Sequence, residues 1–207
     1  MSKALFNVKR RMFFCTAAVM LSMLLLFTFC SDNSTGPNSD IIYSSFTDER
    51  DGKIYSTVKI GNKTWMAENL NYETDNSWCY GNNESNCDTY GRLYNWNAAM
   101  NACPAGWHLS TSEEWNDLIS AANGSAKKLK SKTPDWNGTN ELGFSALAGG
   151  ERLSSFGNMD VHGYWWSAAD VSNTDAERLS MGDTLGDNVQ NLSRSKGYGF
   201  SVRCVKD

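Results

Sequence analysis

The sequence lacks the residue patterns on which most catalytic sites depend. It has only two histidines, His108 and His162, and it contains no Gly-x-Ser-x-Gly, phosphate-binding glycine loop or His-x-x-x-His. Those patterns hold a nucleophile, a phosphate group or a metal ion in place, so their absence argues against the common hydrolase, nucleotide-binding and metalloprotease classes. The sequence therefore predicts a non-catalytic protein, with an enzyme of unrecognised type as the weaker alternative. No cofactor and no metal site are expected.

Positive charge is also scarce. The chain has 19 Lys and Arg against 23 Asp and Glu, a formal charge of −4. Residues 1–29 contain four of the basic residues and no acidic one, so the remaining chain has 15 against 23, a charge of −8. Binding of nucleic acid through phosphates needs a basic face, so no nucleic-acid partner is expected. The one local basic cluster is predicted to be a solvated helix face: Lys127, Lys128, Lys130 and Lys132.

One long apolar run is present, and it lies near the start of the sequence. It covers residues 12–29, follows Lys9, Arg10 and Arg11, and ends at Cys30. A basic segment followed by an apolar run is typical of an export signal. The cysteine and the polar tract after it resemble a bacterial lipoprotein signal in which Cys30 is lipidated, although Phe29 stands where a small residue is usual. The alternatives are an uncleaved membrane anchor, since about 20 apolar residues span a bilayer, and ordinary secretion.

Composition divides the chain into three parts. Residues 1–29 are the predicted export signal, and residues 30–47, rich in Ser, Asn and Asp, are predicted to be a polar tether. Residues 48–207 form the predicted domain, because alternating apolar positions and turn residues begin there. The expected location is the bacterial cell envelope, attached to a membrane through the lipid or the anchor.

Four cysteines remain once the signal and the lipidation site are set aside: Cys79, Cys87, Cys103 and Cys204. An even number in an exported protein predicts two disulfides, for which three connectivities are possible. Cys79 and Cys87 flank a loop rich in Asn, and their separation is not typical of a zinc site.

Short strands and few helices predict an α+β fold with long loops. Gly61-Asn62 predicts a hairpin turn. The two main helices are predicted over residues 95–102 and 112–123, the second beginning with a capping box formed by Thr111 and Glu114. The strand signals that follow are at residues 163–168, 176–181 and 188–192, whereas residues 151–162 have the composition of a loop.

Four stretches of the chain resemble the Fibrobacter succinogenes major paralogous domain family. The longest is Cys103-Pro-Ala-Gly-Trp-His-Leu-Ser-Thr-Ser-Glu-Glu-Trp, residues 103–115. The others are residues 65–72, 143–150 and 199–205, so that the resemblance covers residues 52–207. It implies a compact, disulfide-linked fold related to the formylglycine-generating enzyme (sulfatase-modifying factor) and to C-type-lectin-like domains. It also implies the pairing Cys103–Cys204, which leaves Cys79–Cys87 as the second disulfide.

The resemblance does not carry over the copper chemistry of the formylglycine-generating enzyme. That chemistry uses two cysteines shortly before the last motif, and residues 189–197 contain none. Without thiolates there is no soft-ligand site for Cu(I).

A binding module is therefore the expected function, with carbohydrate as the first ligand class to consider. Lectin-like folds present ligands on long loops, and an exposed aromatic ring stacks on sugar faces. The candidate ligand-binding residues are Trp136, His162, Tyr164 and Trp165. Strand alternation predicts that one of Trp165 and Trp166 is buried and the other is exposed or lies in a groove. The alternative is a structural surface protein whose partner is another cell-surface protein.

Overall fold

The computed structural model of the protein describes residues 41–133 and 136–207. The predicted signal and Cys30 lie outside the described residues. In chain order the strands are β1 (Tyr43–Thr47), β2 (Ile54–Ile60), β3 (Lys63–Met66), β4 (Ser77–Trp78), β5 (Leu93–Tyr94), β6 (Trp107–Leu109), β7 (Gly149–Arg152), β8 (Phe156–Met159), β9 (His162–Asp170), β10 (Asp175–Gly182), β11 (Gln190–Ser195) and β12 (Cys204–Lys206). The helices are α1 (Glu84–Tyr90), α2 (Trp96–Ala102) and α3 (Ser112–Ala121).

Two five-stranded sheets form the framework. The first has the order β1-β2-β3-β12-β6 and is antiparallel throughout. The second has the order β11-β10-β9-β7-β8, in which only the contact of β7 with β9 is parallel. The predicted mixture of helices and short strands is thus confirmed, with strands predominating. No helix in the described part of the chain is both long and apolar enough to cross a membrane.

The domain begins earlier than the boundary predicted at residue 48. β1 pairs along its whole length with β2. Phe46 contributes to the packing because its ring lies 4.4 Å from that of Trp107 and 5.6 Å from that of Tyr55. This aromatic contact and the strand pairing give residues 43–47 a place in the sheet, which corrects the predicted end of the tether at residue 47.

β9 is buried on both faces. Trp165 belongs to one apolar cluster, together with Trp65 and Trp115. Trp166 belongs to the other, where it packs against Phe200. Both tryptophans are fully buried, so the prediction that one of them is exposed or lies in a groove is wrong. The two side chains do point to opposite faces of the sheet, as strand alternation requires, but each face of this central strand packs against an apolar cluster.

The helices and hairpins match the sequence patterns closely. The hairpin at Gly61-Asn62 joins β2 to β3, and β10 pairs with β11. The capping box is formed, with Thr111 accepting from the backbone N–H of Glu114 and the Glu114 carboxylate accepting from that of Thr111. This reciprocal bonding satisfies two N–H groups at the start of α3.

Two local predictions are corrected. Residues 151–162 are not a loop, because β7 and β8 form a hairpin there. The lysine cluster is not a helix face, since only Ala126–Lys128 form a 3-10 turn. Lys130 is buried, with its Nζ 3.6 Å from the Asp183 carboxylate and 4.4 Å from the ring centre of Trp136.

Both predicted disulfides are present. The short disulfide joins Cys79 to Cys87 and closes α1 against the loop before it. The long disulfide joins Cys103, which follows α2, to Cys204 on β12, across 101 residues of sequence. The long disulfide therefore ties the middle of the chain to β12, which lies between β3 and β6 in the first sheet.

Candidate functional site

Two of the four candidate ligand residues lie in the core. Trp136 is 2% exposed and Trp165 is 0% exposed. Their indole N–H groups donate to the Ala146 carbonyl and to Asn69 Oδ1, each at 2.8 Å. A buried tryptophan whose N–H is already bonded has no free ring face for a sugar. Trp136 and Trp165 are therefore structural, which corrects their predicted role in stacking.

The other two candidates, His162 and Tyr164, lie side by side on β9. Residues two apart on a strand point to the same face, and their rings stack at 5.8 Å with an angle of 15°. The Tyr164 ring also lies 4.7 Å from the Arg178 guanidinium carbon. Because Tyr164 is only 7% exposed and contacts both neighbours, it does not offer an open stacking surface either.

The strand register places further polar side chains beside this pair. Directly opposed residues on antiparallel strands share a face. On β10, Ser180 is opposite Tyr164 and Arg178 is opposite Trp166. Arg194 of β11 is on the same side, opposite Ala176. We call this side of the second sheet the Arg178 face. Its polar residues are His162, Tyr164, Arg178, Ser180 and Arg194, with Glu151 and Asn158 at its border.

The Arg178 face concentrates polar atoms that have no hydrogen-bond partner. Among the described residues, nine buried side-chain nitrogen or oxygen atoms lack one, and four of them are here. They are Arg178 Nε and Nη1, Ser180 Oγ and His162 Nδ1. A buried polar group left without a partner costs about 1–3 kcal/mol. Adjacent unpartnered groups on one sheet face are unfavourable for folding alone, so their partners have to come from ordered water, an ion or a ligand.

The positive charge of Arg178 on this face is not balanced by an ion pair among the described residues. Arg178 is 5% exposed, and no carboxylate of the described residues forms an ion pair with it. Burial, and then the positive charge of Arg194, lower the pKa of Arg178. The nearby Glu151 carboxylate is instead engaged by Asn158 Nδ2 at 2.6 Å, and Asn158 also donates to the Tyr164 hydroxyl at 3.3 Å.

Arg203 is a buried arginine of the same domain with a structural role, and its environment differs from that of Arg178. It is fully buried, and its guanidinium donates to Asn69 Oδ1 at 2.7 Å and to three backbone carbonyls, those of Met66, Phe144 and Ser145. The carbonyls satisfy its N–H groups, although burial still lowers the pKa of Arg203 to about 9. Arg178 has none of these acceptors, which sets it apart from a structural arginine.

Comparison with known proteins identifies the family. The model of the Fibrobacter succinogenes major domain matches residues 58–206, which include the whole second sheet, the first sheet from the end of β2 onward and the whole Arg178 face. The chain belongs to this family. No curated protein and no solved structure matches it. The description of the Fibrobacter succinogenes major domain names no activity, so the function has to be inferred from the site.

His108, the other histidine of this Fibrobacter succinogenes major domain, has a structural environment. Its Nδ1 lies 2.6 Å from Asp207 Oδ1 and its Nε2 lies 2.9 Å from Glu114 Oε2. Lys63 Nζ reaches the same Glu114 carboxylate at 2.8 Å. The cluster links β3, β6 and α3, and both nitrogens of His108 are occupied by carboxylates.

One group in the described part of the domain has the spacing of metal ligands: Cys79, Glu84 and Cys87. The two sulfurs form the short disulfide and therefore provide no thiolate.

Sequence reasoning found His162 and Tyr164 but missed Arg178, Ser180, Arg194 and the bordering Glu151 and Asn158. On β10, Arg178 and Ser180 alternate with the apolar Leu179 and Met181, a pattern that predicts a solvent-facing polar side. In the structure the side of β10 that carries Arg178 and Ser180 packs against the apolar cluster of Trp166 and Phe200, so both residues are buried. The only available signal was that a basic residue and a serine alternate with apolar residues along the strand predicted after that of Tyr164.

Proposed function

We propose that this protein is a non-catalytic binding module of the cell envelope and that its ligand, a carbohydrate, contacts the Arg178 face. The observation that carries the proposal is the group of unpartnered donors and acceptors on Arg178, Ser180 and His162. Sugars present hydroxyl groups that both donate and accept, and they match such a mixed set of polar atoms. Recognition through hydrogen bonds replaces the stacking expected from the sequence, because the aromatic rings are covered.

The surroundings of His162 support a binding role over a catalytic one. His162 Nε2 lies 2.8 Å from Thr184 Oγ1, which is hydrogen-bond distance for a base and a hydroxyl nucleophile. A catalytic base is normally oriented by a third group on its other nitrogen, but His162 Nδ1 has no partner among the described residues. An enzyme of unrecognised type that used this pair is the weaker alternative.

The proposed relationship of the fold to C-type-lectin-like and sulfatase-modifying-factor domains rests on the sequence motifs. It is supported by a long disulfide that joins residues 101 apart and by two small sheets separated by irregular segments. In such a framework the loops and sheet faces, rather than the disulfide-linked core, are available for a ligand.

We also propose that the protein is a lipoprotein attached through Cys30. The support is the basic segment, the apolar run and the polar tract around Cys30. Cys30→Ser is expected to release the protein from membranes or to leave the precursor uncleaved. Intact-mass measurement decides the point. A membrane-extracted protein that retains residues 1–29 would instead establish the uncleaved anchor.

A glycan and cell-wall polysaccharide array tests the binding function. The full chain in a mild non-ionic detergent is expected to bind at least one polysaccharide, and Arg178→Gln is expected to abolish the signal. Arg152→Gln is the matched control, because Arg152 also lies over an aromatic ring, 3.9 Å from Trp78, but is not part of the Arg178 face. Binding that survives Arg178→Gln would refute the site. Absence of binding to every glycan would favour the alternative, a protein partner at the cell surface.

A further inference from the structure

We infer that the group recognised on the Arg178 face is a carboxylate, and that the ligand is an acidic polysaccharide built from uronic acids. The inference rests on the proposed binding function and concerns the chemical class of its ligand. It is argued from the charge on the face, from the geometry of guanidinium and from the polar groups around Arg178.

The charge argument begins with the missing counter-ion. Arg178 is nearly buried, next to a second arginine, Arg194, and without an ion pair among the described residues. A buried cation without a counter-ion is unfavourable, and the nearby positive charge makes it more so. A neutral sugar would supply hydrogen bonds but leave this charge unbalanced. An anionic group on the ligand would satisfy the N–H groups and the charge together.

The geometry of the side chain favours a planar anion. A guanidinium presents its N–H groups as a rigid fork that matches the two oxygens of a carboxylate. The fork of Arg178 is held in place because its carbon lies 4.7 Å from the ring centre of Tyr164 and 5.9 Å from that of Phe200. Little side-chain freedom remains to be lost when a ligand binds, so the donors are preorganised.

The neighbouring groups fit the rest of a uronic acid. Each such sugar carries hydroxyl groups beside its carboxylate, and Ser180 Oγ and His162 Nδ1 are the unpartnered groups beside Arg178. Glu151, held by Asn158, places a negative charge at the border of the face. The chain as a whole is also acidic, with a formal charge of −4. A ligand with one carboxylate per sugar therefore fits better than a densely sulfated polymer, because an acidic protein repels the more highly charged chain more strongly.

The test is calorimetric titration of the full chain in detergent with defined tetrasaccharides. The acids are tetramers of galacturonate, glucuronate and mannuronate, and each is paired with its methyl ester, which keeps the sugar and removes the charge. At least one acid is expected to bind, about tenfold more tightly than its ester. Arg178→Gln should remove that difference. Glu151→Gln should strengthen binding of the acid about twofold, because it removes a like charge. Arg152→Gln should change neither affinity.

Each other outcome overturns a defined part of the inference. Equal, Arg178-dependent binding of acid and ester would refute the carboxylate and leave the carbohydrate-binding function intact. Tighter binding of a sulfated tetrasaccharide than of any uronate would also refute the carboxylate. Arg178-dependent binding of a peptide carboxylate with no binding of any sugar would refute the polysaccharide. No binding of any of these compounds would refute both the inference and the proposed function.

Discussion

Replacing Arg178 by methionine should make the folded protein more stable. The substitution removes two buried nitrogens without hydrogen-bond partners, Nε and Nη1, and a charge that lies near Arg194. Each unpartnered group costs about 1–3 kcal/mol. The contact with the Tyr164 ring, 4.7 Å away, returns about 0.5–2 kcal/mol. Methionine keeps the apolar stem of the side chain in the core. With about 1–1.5 kcal/mol for each of the two nitrogens and about 1 kcal/mol for the ring contact, the net expectation is a gain of about 1–2 kcal/mol.

Arg203→Met is the matched comparison, and it should have the opposite effect. It leaves Asn69 Oδ1 and the carbonyls of Met66, Phe144 and Ser145 without their donor. With several buried acceptors affected, the expected loss is at least about 3 kcal/mol. The two substitutions make the same chemical change in the same domain, so they differ mainly in whether the arginine had partners.

Urea unfolding and thermal unfolding, both followed by tryptophan fluorescence, measure these differences. One kcal/mol corresponds to about 2–4 °C in Tm for a chain of this size. Arg178→Met should therefore raise Tm by about 2–8 °C, and Arg203→Met should lower it by at least about 6 °C. If Arg178→Met lowers Tm as far as Arg203→Met does, Arg178 is a structural residue and the reasoning that assigns it to a ligand is refuted.

Two further predictions concern the framework. In the chain-entropy account the long disulfide contributes about 4.7 kcal/mol and the short one about 2.5 kcal/mol, so Cys103→Ser should lower Tm more than Cys79→Ser, and an equal loss would contradict the account. Burial alone would lower the pKa of His108, but hydrogen bonds to Asp207 and Glu114 raise it above 6.5. The histidine therefore contributes stability that is complete below pH 6.5 and is lost as the pH rises through its folded-state pKa. His108→Gln should flatten that part of a Tm profile measured between pH 5 and 9, and an unchanged slope would exclude His108 as its source.

Local patterns predicted much of the fold because their physical causes are local. The cap at Thr111 needs only residues three apart, and the hairpin at Gly61-Asn62 needs only two turn residues between strands. The exposure of Trp165 and Trp166 could not be predicted in this way. Whether a strand is covered on one face or two depends on sheets that come together from distant parts of the chain. The β7–β8 hairpin was missed because its Gly157 and Asn158 have low strand propensity.

The candidate site was only half predictable for the same reason. Tyr164 could be named because it lies in the short aromatic stretch of residues 163–168, and His162 because it is one of only two histidines and immediately precedes that stretch. Arg178 belongs to the next strand. It stands out because, within the described part of the chain, the folded structure brings neither a hydrogen-bond acceptor for its Nε and Nη1 nor a carboxylate partner close to it. Sequence can show a polar residue on a strand, but it cannot show that a second core covers that residue without supplying a hydrogen-bond partner.

The most direct test of a carboxylate at Arg178 is the NMR signal of its Nε–H group. Arg178→Lys, which has no such group, assigns the signal in a ¹H–¹⁵N spectrum. Titration with the uronate tetramer that binds best should move the proton signal downfield and saturate together with the calorimetric binding curve, since a charge-assisted hydrogen bond forms. The methyl ester should produce a smaller shift. An Nε–H signal that stays in place while the uronate binds would contradict the account.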